Sequence, residues 1–151
     1  MEFDTKVSLR PLLSFEADAT EDPGAFHKRL WEAISKGSKA VGEGSATELW
    51  ADYSTFLYSR YVVYRIEDEG GSRRVTALGA RKLNLMGDVL LGMLFLLIFR
   101  CLSKCIAPSV SAVYPVGMIL AVAAAAMLLI LSRKPFGMNE AEAVKNYMTK
   151  R

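Results

Sequence analysis

Val110–Leu131 reads VSAVYPVGMILAVAAAAMLLIL, a run without a single charged residue. A helix rises about 1.5 Å per residue and the hydrocarbon core of a bilayer is about 30 Å thick, so a helical run of this length can cross it. A shorter apolar run, Val89–Phe99 (VLLGMLFLLIF), stands just before it. Two such runs joined by a short link predict a two-pass transmembrane helical hairpin over residues 83–131.

The first run needs extension, because Val89–Phe99 alone covers only about 16 Å as a helix. Extending it back to Leu83 brings Asp88 into the bilayer. Extending it forward to Ile106 takes in Arg100 and Lys104. These two are four residues apart, share one helix face and can snorkel to the headgroups, so the forward course costs less. The expected crossings are about 86–105 and 110–131, with Ala107, Pro108 and Ser109 as the turn.

Basic residues orient the hairpin. Arg73, Arg74, Arg81 and Lys82 precede it, and Arg133, Lys134, Lys145, Lys150 and Arg151 follow it. Only Arg100 and Lys104 lie towards the link. The positive-inside rule then places both termini on the cytosolic or matrix side. Gly117, Ala121 and Ala125 repeat at four-residue spacing, and small residues let helix backbones approach in lipid. Gly92 on the first helix is the expected mate. The competing reading is that alanines simply make a good apolar helix, and the mate is either the first helix or another protein.

Asp88 is the one acidic residue of the hairpin. An intramembrane carboxylate points to function by default, but a proton relay usually uses more than one. The expected role is interfacial, paired with Arg81, Arg133 or Lys134.

Residues 1–80 read as an extramembrane domain with amphipathic helices. Phe3–Leu9 alternates apolar and polar residues like a strand, Pro11 ends it, and residues 14–21 form a polar connector. Asp22 and Pro23 start a helix to about Ala40, with Phe26, Leu30, Ala33, Ile34 and Gly37 on one face. Gly42 and Gly44 break the chain. Ser45 and Glu48 have capping-box spacing, which predicts a second helix to about Arg60. Trp50, Tyr53, Leu57, Tyr61 and Tyr64 then form a stripe at helical spacing. It covers the apolar face of the preceding helix, or one of the two faces lies on the membrane. YVVYRI (61–66) and RRVTAL (73–78) flank EDEGGS as a β-hairpin, with continued helix to Glu67 as the alternative. Residues 132–151 read as a basic tail with a short helix over AEAVKNYM, capped at Asn139. The predicted fold class is mainly α: a two-pass hairpin preceded by a small helical, or α+β, domain.

No catalytic set emerges. Cys101 and Cys105 are spaced C-x-x-x-C, which is not the redox spacing, and nothing completes a metal site around them. His27 is the lone histidine, the serines lie outside G-x-S-x-G, and the glycines match no phosphate-binding fingerprint. The expectation is a non-enzymatic protein without cofactor, metal or small-molecule substrate. A net charge of +3, with bases flanking the apolar runs and no basic tract, argues against a nucleic-acid footprint. MEFDTKVSLRPLLSFEADATED has no secretory apolar core, and its acidic residues suit no mitochondrial presequence, so the hairpin itself directs insertion. The endoplasmic reticulum and the mitochondrial inner membrane are the expected homes. The expected partners are the lipid bilayer and other membrane-protein subunits, or further copies of the chain. Three functions follow in order: a structural or accessory/assembly subunit of a membrane complex, a membrane-shaping or tethering hairpin, and an oligomeric channel or carrier protomer.

Overall fold

Among the described residues of the N-terminal half, strand outweighs helix. A computed structural model of the chain describes residues 9–17, 20–69, 72–105 and 112–150. Its elements run β1 (Arg10–Ala17), α1 (Pro23–Ser35), β2 (Ala40–Ser45), β3 (Glu48–Asp52), β4 (Tyr58–Glu69), β5 (Ser72–Leu83), α2 (Leu85–Cys105), α3 (Val113–Arg133) and α4 (Met138–Thr149). The five strands form one antiparallel sheet in the order β1-β5-β4-β3-β2. The expectation of a mainly α chain is therefore corrected.

The chain divides into two compact units. The first holds the sheet, α1 and α4; the second holds α2, α3 and the short segment Phe56–Tyr58.

In the sheet unit, Asp22 caps α1 by accepting from the Ala25 amide at 3.1 Å, with Pro23 in the first turn. The helix buries Phe26, Leu30, Ala33 and Ile34 and stops at Ser35, short of the expected Ala40. It links β1 at one sheet edge to β2 at the other, and β2 to β5 follow as a meander. Leu49 and Ala51 of β3, Val62 and Tyr64 of β4, and Val75 and Ala77 of β5 are each fully buried in one core. Ala141, Val144 and Met148 of α4 close the same core beside α1. The unit is a two-layer sandwich with both helices on one face.

The predicted helix from Ser45 is replaced by the β2–β3 hairpin. Leu49 and Ala51 alternate with Glu48, Trp50 and Asp52 at period two, and the two are buried while their neighbours are not. Ser45 turns the chain instead of capping it: its hydroxyl accepts from the Thr47 amide at 3.4 Å. Glu48 pairs across the sheet with Arg65, its register partner, at 2.8 Å. The stripe from Trp50 to Tyr64 therefore belongs to no helix. The first half of the polar connector expected over 14–21 is strand, since β1 reaches Ala17 and its Phe15 is buried. Pro11 lies within β1, where an edge position and an irregularity between Pro11 and Leu13 tolerate it. The strand expected at Phe3–Leu9 lies, but for Leu9, outside the described residues.

The predicted β-hairpin at 61–78 corresponds to β4 and β5. The link to α4 turns at Gly137, whose φ of +111° suits glycine, and whose neighbours include the Val62 and Leu12 side chains. Gly137, not Asn139, occupies the N-cap of α4, without a side-chain cap bond.

Candidate functional site

Helices α2 and α3 are each 21 residues long, about 31 Å at 1.5 Å per residue, and both are long and apolar enough to cross a membrane. They lie against each other through small side chains. Ala121 and Ala125 of α3 are buried together with Leu128, as is Cys101 of α2, while the buried Gly87 lies against Leu57 and Leu83. Gly117 stands opposite Cys101, where an added Cβ would sit 3.6 Å from the sulfur. The large side chains point away from this seam: Leu96, Phe99, Ile119 and Leu120 are all well over half exposed.

The other residues singled out in the sequence fall as follows. Gly92 has open space around it and is no mate for the α3 stripe; Cys101 takes that place. Asp88 lies exposed in the first turn of α2, and its amide donates to the Asn84 carbonyl at 2.9 Å. It forms no ion pair among the described residues, and its place in the first turn sets it at the positive end of the helix dipole. Arg100 and Lys104 are exposed near the C-terminus of α2, and Arg133 closes α3. Lys134 is the α3 C-cap, its amide donating to the Leu131 carbonyl at 3.3 Å. Arg81 and Lys82 end β5, and the Arg81 guanidinium sits 5.4 Å from the centre of the Phe136 ring. Arg73, read as one of the flanking bases, is instead 4 % exposed, bonded to Asp68 at 2.8 Å and stacked over Phe26.

Two features escaped the sequence reading. The first is Asn84, which joins β5 to α2. Its Oδ1 accepts from the Gly87 amide at 3.0 Å, capping the helix, while its Nδ2 donates to the Phe56 carbonyl at 2.9 Å. Asparagine before an apolar run is a recognised start signal, and it was open to view. Its second bond, 28 positions away in sequence, was not.

The second is a tyrosine-lined cleft in the sheet unit, about 380 Å³, bordered by Lys36, Gly37, Tyr53, Glu140, Val144 and Tyr147. The Lys36 ammonium rests 3.9 Å over the Tyr147 ring. Tyr64 lies fully buried, its hydroxyl without a partner in hydrogen-bonding geometry; the Tyr53 phenol is its polar neighbour. Burial pushes the Tyr64 phenol well above its ordinary ionisation range, with smaller contributions from Tyr53 and the Glu140 charge. Burial, then Glu140, raises Tyr53 as well. These phenols stay protonated at physiological pH, which suits hydrogen bonding and not nucleophilic attack. Among the described residues, no three His, Cys, Asp or Glu side chains come together to hold a metal.

Comparison with known proteins leaves the chain unassigned: no family model, curated protein or solved structure matches it.

Proposed function

We propose that this chain is a non-enzymatic accessory or assembly subunit of a membrane protein complex, held in the bilayer by the α2–α3 hairpin. One observation carries the reading. The hairpin buries Cys101, Ala121, Ala125 and Leu128 and exposes large apolar side chains from Leu85 to Leu102 and from Val113 to Ile130. Such a surface is unfavourable in water and favourable against lipid or against other transmembrane helices. Both outer ends of the hairpin continue into the chain of the sheet unit, so a two-pass course leaves the sheet unit and the C-terminal helix on one side. The basic flanks at Arg81, Lys82, Arg133 and Lys134 favour the cytosolic or matrix side.

The tethering reading is weaker. It needs amphipathic helices with faces free for lipid, and the apolar faces of α1 and α4 are already used in the core of the sheet unit. The channel reading needs polar pore-lining groups, and the seam of α3 is glycine, alanine and leucine.

Purification of the full chain in mild detergent tests the proposal. The expected result is co-elution with stoichiometric partner proteins. A chain that elutes alone, as monomer or homo-oligomer, would overturn the accessory-subunit reading.

A further inference from the structure

We infer that the Phe56–Leu57 turn is a third membrane contact, an aromatic anchor that seats among lipid headgroups and upper acyl chains beside the start of α2. This rests on the reading of α2 and α3 as membrane-crossing helices. The turn joins β3 to β4 in sequence, yet Phe56–Tyr58 belong to the compact unit of the hairpin.

Three hydrogen bonds hold the turn there. The Asn84 side-chain amide donates to the Phe56 carbonyl at 2.9 Å, and the Asn84 backbone amide donates to the Leu57 carbonyl at 3.1 Å. The Tyr58 hydroxyl donates to the Leu128 carbonyl of α3 at 3.3 Å, in a buried position. A glycine completes the arrangement. A Cβ on Gly87 would be driven into the Leu57 carbonyl oxygen, a backbone atom that cannot swing aside. Leu57 and Tyr58 also line an apolar groove of about 390 Å³ with Leu90, Leu94, Met127 and Leu131.

The clasp does not bury Phe56. Its side chain is 72 % exposed, and Leu85 at the first position of α2 is 77 % exposed. Burying a phenylalanine from water is favourable, so a held, exposed ring forgoes that gain unless something else receives it. The apolar surface of the hairpin runs on from Leu85 and Met86, so lipid is the continuous neighbour. Aromatic side chains gather at the membrane–water boundary, and phenylalanine on interfacial segments sinks into the upper acyl region. The occupant is therefore the bilayer interface.

The test uses the full chain in lipid nanodiscs, with Phe56, Phe95 or Phe26 replaced one at a time by a trifluoromethyl-phenylalanine. Fluorine line broadening is read with nitroxide lipids labelled near the headgroup or near the terminal methyl, and with a water-soluble gadolinium chelate. For the label at 56, the expected result is several-fold stronger broadening by the shallow nitroxide than by the deep one, and little by the chelate. The label at 95, midway along α2, should respond most to the deep nitroxide. The label at 26, in the sheet core, should respond to none.

Broadening at 56 by the chelate, with 95 still answering to the deep nitroxide, places the turn in water and overturns the anchor alone. Broadening of both by the chelate overturns the membrane reading and the anchor together. Silence at 56 towards every agent means a protein surface covers it, and this too overturns the lipid assignment. Gly87→Ala should cut the nitroxide broadening at 56 severalfold and leave that at 95 unchanged. Asn84→Ala provides the same comparison with a milder change. No loss at 56 in either variant would overturn the clasp that holds the ring at the interface.

Discussion

Tyr64 shows how a residue's chemistry depends on its burial. Its phenol is fully enclosed and lacks a well-formed hydrogen bond, so the charged form is strongly disfavoured in the fold. An unfolded tyrosine ionises near its ordinary 10.0, whereas the folded one keeps its proton well beyond that. Above this point the native state binds more protons than the unfolded state. Its contribution is therefore fully present below pH 10 and is lost as the pH climbs, by at most about 1.4 kcal/mol per pH unit. Alkaline unfolding followed by circular dichroism, with phenolate absorbance read in parallel, should show this late ionisation appearing only with unfolding. Tyr64→Phe should flatten the alkaline loss and change stability at neutral pH by less than about 1 kcal/mol, since the hydroxyl it removes is unpaired. Asp88 makes the opposite point. Its neighbour of opposite sign is the start of its own helix, worth about 0.3–1 kcal/mol at an exposed position. Asp88→Asn should therefore insert and assemble like the parent chain, measured by membrane extraction and native gels. A lost ion flux with assembly intact would move the transport reading to first place.

Elements divide into those that local patterning decides and those that partners decide. Helix α1 has a cap, a first-turn proline and apolar residues at helical spacing, and all three agree. The segment 45–60 sends conflicting signals: Ser45 and Glu48 imitate a capping box, and the aromatics imitate a helical stripe. The alternation of Glu48 to Asp52 was the contrary evidence in view. The outcome turned on a core that takes Leu49 and Ala51 from a strand, with the part-exposed Arg65–Glu48 pair across β3 and β4 adding about 0–1 kcal/mol. In the hairpin, the stripe on α3 was legible, but its neighbour was not. Cys101 stands opposite Gly117, and Gly92 has nothing near it. Ala121→Leu should weaken the hairpin by about 1–3 kcal/mol through overpacking. Leu129→Ala, at a position 37 % exposed, should cost less than about 0.5 kcal/mol. Thermal unfolding in detergent measures both, and equal effects would argue against the seam.

At the scale of the whole molecule, the sheet unit is assembled from segments that precede and follow the α2–α3 pair in sequence. Helix α4 follows the hairpin in sequence and still supplies Ala141, Val144 and Met148 to the core begun by β1 and α1. A chain truncated after Lys134 should therefore lose the cooperative melting of the sheet unit, read by circular dichroism. The hairpin's own helices should persist, because α2 and α3 form a compact unit of their own. Tags on the two termini should be protected or digested together in sealed vesicles, since two crossings return the chain to its starting side. Opposite protection of the tags would rule out the two-pass course.

The apolar runs, the helices they form and the start of α1 were decided by the sequence alone, whereas 61–78 stayed open there between a β-hairpin and continued helix until the sheet claimed it. The first three depend on residues close together in the chain: unbroken apolar runs and a cap with its proline. The β2–β3 hairpin, the burial of Arg73 and Tyr64, the clasp of Asn84 on Phe56 and the place of α4 in the core were decided only by the tertiary structure. Each depends on a partner tens of residues away, and local pattern carries no record of which distant group will arrive to bury, pair or cover a side chain.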